Sequence, residues 1–419
     1  MKKCYFAADI LMPDFKSVDP QKWSVVACDQ FTSEPEYWEK AEALVGDSPS
    51  TLNMILPEVY LEEAKTRIPE INARMIQYKR DVLTELFDSM IYVERTQSDG
   101  TVRHGVILAV DLECYDYKKG ADSLIRATEA TVIERIPPRV AIRENATIEL
   151  PHVMLLIDDP ERTVIEPLRG VDCGELIYDF DLMLGGGHIR GTRISDEYKN
   201  AISKALDALV APKNIESKYG SRDLSPLMFA VGDGNHSLAS AKATYEKIKA
   251  EIGADAANNH PARYALVEVV NIHDDSLKFE PIYRIMTDID PTDVLNALSE
   301  YTKTLHGNAG KQTVNYIFGD TEGVIEIADA EQQLTVGTLQ RFIDDYIASH
   351  NGAKVDYIHG EDSVKALARK ENSIGFIFDG MEKSQLFKTV IFDGALPRKT
   401  FSMGHAEDKR YYLECRSIV

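Results

Sequence analysis

Short apolar runs alternate with amphipathic stretches along the whole chain. Trp23–Cys28 (WSVVAC) is an apolar run, which predicts a strand buried on both faces. Ser33-Glu34-Pro35-Glu36 has the S-x-x-E spacing of a capping box, so a helix is expected through Trp38 to about Leu44. After Pro57, the residues Val59, Ala64, Ile68, Ile71, Met75, Tyr78 and Val82 share one helical face, with Pro69 expected to kink or split the helix. Met90–Thr96 and Thr101–Asp111 are β-rich and flank Gln97-Ser98-Asp99-Gly100, a hairpin signal. Pro151–Asp158, Leu227–Gly232 and Tyr264–Ile272 read as buried strands, the last of them central. Beyond Ile285 the pattern predicts a helix near 291–306, a hairpin over 313–328, a helix over 337–350 and a strand over 373–379. The fold class is α/β of the mixed α+β kind, with mixed sheets and flanking helices. A boundary is expected at 287/288: a main α/β domain over 1–287, and a C-terminal α/β portion over 288–419 that packs on it and contributes the turn Pro397–Gly404.

Composition narrows the function. With 419 residues, 44% apolar and 27% charged, the chain can bury a large core in two or three domains, which excludes a disordered or fibrous protein. A formal charge of −21 repels phosphate backbones and anionic lipid, so neither a nucleic-acid nor a membrane partner is expected. Five scattered cysteines with no C-x-x-C pair fit a reducing cytoplasm. No uncharged apolar run approaches the roughly 20 residues that span a bilayer.

Four segments can carry chemistry. In Phe229–Lys242 a buried strand runs into Gly232-Asp233-Gly234-Asn235-His236-Ser237 and then a helix. Open α/β sheets bind ligands at such strand ends, and the first-turn amides of a helix favour an anion. Asp233 can hold a metal or accept a hydroxyl proton, and His236 can donate to phosphate. A metallophosphoesterase is excluded, because the chain has no D-x-H ligand pair. Leu184–Arg193 places Gly185, Gly186 and Gly187 before His188, Arg190 and Arg193, a locally basic loop whose amides can approach an anion. It matches neither the P-loop nor the dinucleotide fingerprint. Leu396–His405, followed by Lys409-Arg410, gathers four basic residues, Arg398 and Lys399 among them, near a hydroxyl-rich turn. Asp29, Gln30 and Thr32 follow the first apolar run, whereas Cys28 reads as a small core residue. Arg126–Thr131 suits a salt-bridged helix, and His104, His152, His260 and His273 have no paired spacing and are expected to be structural.

Ala27–Trp38 (ACDQFTSEPEYW), Val231–Lys242 and Pro397–Gly404 together resemble the domain-of-unknown-function family 1015 over nearly the whole chain. Where many members carry D-G-H-H-R, this turn reads Asp233-Gly234-Asn235-His236-Ser237. Arg126–Asn145 and Pro281–Arg284 also resemble family landmarks, with Tyr283 where histidine is frequent. The D-G-H-H-R turn is similar in turn to the signature of the ParB/sulfiredoxin-like fold, which implies a nucleotide-binding core. On that resemblance the expected function is a nucleotide-dependent phosphotransferase, using ATP or ADP with Mg2+, that acts on a small hydroxylated metabolite with free L-serine in the lead. Asp233, His236 and Lys399 would be catalytic, with Asp233 also the metal residue. Gly185–Gly187, His188, Arg190, Arg193, Gly234, Asn235, Ser237 and Arg398 would bind phosphate, and Asp29, Gln30 and Thr32 the substrate. The alternatives are a non-catalytic nucleotide-responsive regulator and a metal-assisted hydrolase.

Overall fold

The computed structural model describes residues 2–129 and 136–419. Ala130 and Thr131, the end of the stretch expected as a salt-bridged helix, lie outside the described residues. Two compact units emerge from the tertiary contacts. The first takes the chain to Ala127, continues to Leu277, and is completed by Gly404–Val419; the second takes Lys278–Met403 and a short piece beginning at Thr128.

The first unit is built on a ten-stranded mixed sheet. Its order is Gly174–Asp181, His188–Ile194, Ile91–Thr96, Val102–Asp111, Tyr264–Asn271, Met154–Ile157, Phe229–Asp233, Ile125–Ala127 and Tyr115–Asp116, with Tyr5–Phe6 added beside Val102–Asp111. The expected hairpin closes with Thr96 opposite Val102, and Gly100 supplies the positive φ (+82°) of its turn. Period-2 alternation divides the strands between two cores. Ile107, Ala109 and Leu266 pack with Trp23, Trp38 and Met75 on one face. Val106, Leu108 and Val267 pack with Leu206, Leu238 and Tyr245 on the other. Tyr264–Asn271 is central, as its apolar run predicts, and parallel to Met154–Ile157.

Four local expectations are corrected. Trp23–Cys28 is not one strand: Asp19 accepts from the Gln21 and Lys22 amides, Pro20 starts a one-turn helix through Trp23, and only Val25–Val26 is left extended. The helix Pro35–Val45 has Glu34 at its N-cap and no side-chain cap bond, because Pro35 takes the first helical position and leaves Ser33 one residue outside. Pro69 lies inside the helix Ala64–Asp81 without ending it; it is exposed, so the carbonyl it cannot serve is open to water, and the irregularity falls instead at Tyr60. Arg126 sits in the strand Ile125–Ala127, where its guanidinium donates to the carbonyls of Ser123 (2.8 Å) and Ser225 (2.9 Å).

The second unit is an antiparallel sheet in the order Thr321–Ile327, Gln312–Phe318, Ser373–Ile377, Phe279–Thr287 and Lys354–His359, with Phe401–Met403 on Phe279–Pro281. The helices Pro291–Lys303 and Thr335–Ser349 match the pattern of the sequence. Among the described residues, no helix is long and apolar enough to cross a membrane.

Candidate functional site

The strand Phe229–Asp233 ends at Asp233, opposite Met154. Gly234 turns the chain at φ +77°, and a Cβ there would lie 3.0 Å from the Val153 Cα, so the position needs glycine twice over. Helix Asn235–Ile252 starts at once, with Gly234 as N-cap, a residue that has no side chain to bond the first-turn amides. Asp233 Oδ1 accepts from the Gly234 N–H (2.8 Å), and Oδ2 faces Lys409 Nζ (3.2 Å). The buried Asn235 Oδ1 has no hydrogen-bond partner among the described residues. The turn therefore offers an uncapped helix end, a cation and an unmatched acceptor in one place.

Ser237, on the first turn of that helix, sends its hydroxyl to His152 Nε2 (2.7 Å). His152 Nδ1 meets the Tyr412 hydroxyl (2.8 Å), which donates to Cys28 Sγ (3.1 Å) and accepts from the Cys28 N–H (3.2 Å). Asp29 Oδ2 lies 3.8 Å from His152 Nε2, and Gln30 donates to Asp29 Oδ1 (3.0 Å). Burial opposes ionisation of Asp29, but His152, the Gln30 amide and Lys409 outweigh it and hold the carboxyl below its ordinary range. Lys409 thus acts on both Asp233 and Asp29. Burial, with Asp29 adding to it, pushes the Cys28 thiol up to about 12, so the sulfur stays protonated at neutral pH. Thr32 is exposed and outside this cluster.

Buried charge fixes Lys409 and Tyr412 in place. Glu268, in the central strand, pairs with Arg103 (3.4 Å) and Arg410 (2.5 Å), and Arg410 also pairs with Glu414 (2.6 Å). Tyr178 donates to the other Glu414 oxygen (2.6 Å), and Arg410 Nε donates to the Pro151 carbonyl (3.0 Å). The hairpin turn contributes too: Ser98 donates to both carboxylate oxygens of Asp408 through its amide (2.7 Å) and hydroxyl (2.9 Å). Tyr411–Tyr412 then pairs with Val25–Val26. Tyr411 reaches the Met183 carbonyl (3.2 Å) while Tyr412 reaches His152.

The glycine-rich segment forms the turn between Gly174–Asp181 and His188–Ile194. Gly185 and Gly187 take positive φ there (+79° and +77°). His188 lies between Asp179 (2.6 Å) and Asp181 (2.7 Å), and Arg190 faces Glu94 (3.3 Å) and Asp179 (3.7 Å). Arg193 donates to Ser89 Oγ and the Phe87 carbonyl, both at 2.9 Å. Arg398 and Lys399 belong to the second unit. Their carbonyls accept from the buried Arg284 (2.9 and 3.2 Å), Arg398 pairs with Asp344 (2.6 Å), and Lys399 lies over the Tyr357 ring.

The protein-family model described as "Protein of unknown function (DUF1015)" matches residues 12–415. The chain belongs to that family. No curated protein matches the sequence. Among solved structures, a free serine kinase in complex with AMP is similar at 10% identity and a TM-score of 0.37, covering 73% of this chain and 90% of that one. A C-terminally truncated SbnI from Staphylococcus aureus is similar at 11% identity and a TM-score of 0.33, with 71% and 82% covered. A conserved hypothetical protein from Pyrococcus furiosus is similar at 10% and 0.32, with 74% and 94% covered.

His152 and Tyr412 are the members of the cluster that their own stretches of sequence did not mark, whereas Lys409 stands out with Arg410 in the basic C-terminal segment. His152 has partners at 29, 237 and 412, so no local spacing could show it. A signal for Tyr412 was present in Glu407–Arg416, where charged residues alternate with Tyr411, Tyr412, Leu413 and Cys415, a composition unlike that of a solvated tail. Among the described residues, no group of three or more His, Cys, Asp or Glu gathers as a metal site.

Proposed function

We propose that this protein is a nucleotide-dependent phosphotransferase acting on a small hydroxylated metabolite, with free L-serine the first acceptor to test. The observation that carries the reading is the uncapped end of helix Asn235–Ile252 beside the Asp233–Lys409 pair. Helix-end amides and a lysine favour anionic oxygen, and a carboxylate in the same group can take the proton of an attacking hydroxyl. In this reading the amides of Asn235 and Ser237 hold the transferred phosphoryl group, and His236 and Lys409 neutralise its charge. Asp233 accepts the proton. Asp29, Gln30 and the unmatched Asn235 Oδ1 receive the acceptor's hydroxyl or ammonium. ATP or ADP is the donor. Mg2+ enters with the nucleotide's phosphates, because Asp233 is a single carboxylate already facing Lys409. The reading does not draw on the 185–193 hairpin, whose basic side chains are bonded to the hairpin's own carboxylates and to neighbouring segments, or on Arg398 and Lys399 of the second unit.

The test is the melting midpoint of the full chain with ATP, ADP, CTP and GTP, each with and without Mg2+, followed by phosphorus NMR with serine added. A nucleotide at 100 times its dissociation constant adds about 2.7 kcal/mol of stability. Asp233→Asn keeps that shift and loses about 10²–10⁴ in turnover. No shift with any nucleotide overturns the reading. A shift without product from any hydroxyl acceptor leaves a nucleotide-responsive binding protein.

A further inference from the structure

Ser237, His152 and Tyr412 form a hydrogen-bonded line on the wall of a cavity that phosphoryl transfer does not use. The cavity measures about 140 Å3 and is mainly apolar, with Met54, Ile55, Leu56, Ile142 and Leu150 among its lining residues. Apolar cavities of about that size take a benzene ring, so the space suits a short acyl chain or a small aromatic acyl group.

One set of hydrogen bonds along this line makes Nε2 of the imidazole the base. Tyr412 has one proton, which goes to Cys28 Sγ, and its oxygen already accepts the Cys28 N–H. In that set the proton between Tyr412 and His152 is the imidazole's own, on Nδ1, and Nε2 is the acceptor for the Ser237 hydroxyl. That arrangement is the one a serine nucleophile requires: a base within hydrogen-bond reach, held in one tautomer by a third group. The Asp29 carboxylate lies 3.8 Å from Nε2, on the side of the ring that faces Ser237.

We propose that Ser237 is a nucleophile, with His152 as its general base, for the hydrolysis of short-chain acyl esters. Ser237 Oγ bonds to the ester carbonyl carbon as its proton passes to His152 Nε2. The carbon–alkoxide bond breaks, and the alcohol leaves with that proton. Water then bonds to the acyl carbon, giving its proton to Nε2; the bond to Oγ breaks, and Ser237 takes the proton back as the carboxylic acid departs. In this proposal the oxyanion forms beside the first turn of the same helix, which starts after a glycine N-cap. Tyr412 is a positioning residue, acting through the imidazole.

The experiment exposes the full chain to a fluorophosphonate probe and to p-nitrophenyl butyrate. One covalent adduct is expected, on the peptide containing Ser237, together with ester turnover. Ser237→Ala abolishes both, and His152→Gln lowers kcat by about 10²–10⁴. Tyr412→Phe lowers kcat and leaves KM in place, a split that a merely structural role would not give. No adduct on the wild-type chain, an adduct on another residue, or unchanged hydrolysis by Ser237→Ala overturns the proposal. Adduct mapping uses the unmutated protein, so a folding defect cannot imitate failure. The nucleotide melting shift is read separately, so either activity can fail alone.

Discussion

The 185–193 loop and the 232–237 turn look alike in the sequence, each joining glycines to basic residues, yet the fold treats them in opposite ways. In the hairpin, strand register sets Asp181 opposite His188 and Asp179 opposite Arg190, and Glu94 lies across from Arg190 on the other side. Opposite charges directly across a ladder attract, so these cations are spent on their neighbours. At the turn the helix end is uncapped, and its lysine arrives from the far end of the chain. A count of glycines and cations favours the hairpin, which has Arg190 and Arg193 where the turn has only His236. What separates them is the helix end: the turn leads into helix Asn235–Ile252, whereas the hairpin only joins two strands.

The sharpest way to break the contrast is to disturb the buried charge that delivers the lysine. Glu268→Gln leaves Arg103 and Arg410 without their shared carboxylate in a region closed to water. Breaking one partner of such a pair costs about 3–5 kcal/mol. Denaturant unfolding of the first unit should show that loss, and the nucleotide-induced shift should weaken with it. A loss below about 1 kcal/mol would mean that the network does not hold the segment. The next test compares cations directly. Lys409→Ala should remove most of the about 2.7 kcal/mol that saturating nucleotide adds, whereas Arg190→Ala should leave it intact. The reverse result would return the phosphate site to the hairpin.

Much of the scaffold was legible because its signals are local. The Asp99-Gly100 hairpin, the central strand Tyr264–Asn271 and the strand–glycine–helix turn at Asp233 each follow from residues adjacent in the chain. The strand expected at Trp23–Cys28 failed for a local reason too: the Asp19-Pro20 helix start overrode the apolar run. The site was legible only in part. Asp233 and Asp29 were visible at strand ends, but Lys409 and Tyr412 reach them only because Glu268, a lone acid inside an apolar strand, holds Arg410. That acid was the long-range clue, since a carboxylate inside a buried strand needs a partner. Its partner's place in the chain could not be read from pattern.

Gly187→Ala probes the hairpin's backbone separately from its charges. At φ +77° the new Cβ would lie 2.2 Å from the Thr96 carbonyl oxygen, which is backbone and cannot swing away. A loss of about 1–3 kcal/mol is expected in unfolding, with the nucleotide shift preserved. If the shift disappears while the fold survives, the loop belongs to the ligand site after all.

The smallest effect tests whether the hairpin's charges serve stability alone. Partial burial opposes the charge on His188, but hydrogen bonds to Asp181 and Asp179 outweigh it, so its pKa in the fold is raised above 6.5. A group raised in the folded state binds its proton more tightly there than in the unfolded chain. Its contribution is therefore complete below about pH 6.5, the unfolded value, and fades as pH climbs through the raised folded one. His188 is 38% exposed, so solvent screening keeps the contribution under about 1 kcal/mol. The difference in unfolding free energy between the wild type and His188→Gln should be greatest on the acid side and close as pH rises. Added salt should shrink it, because exposed pairs are screened. A difference that grows with pH would reverse the sign of the pairing and reopen the hairpin as a site for an anion.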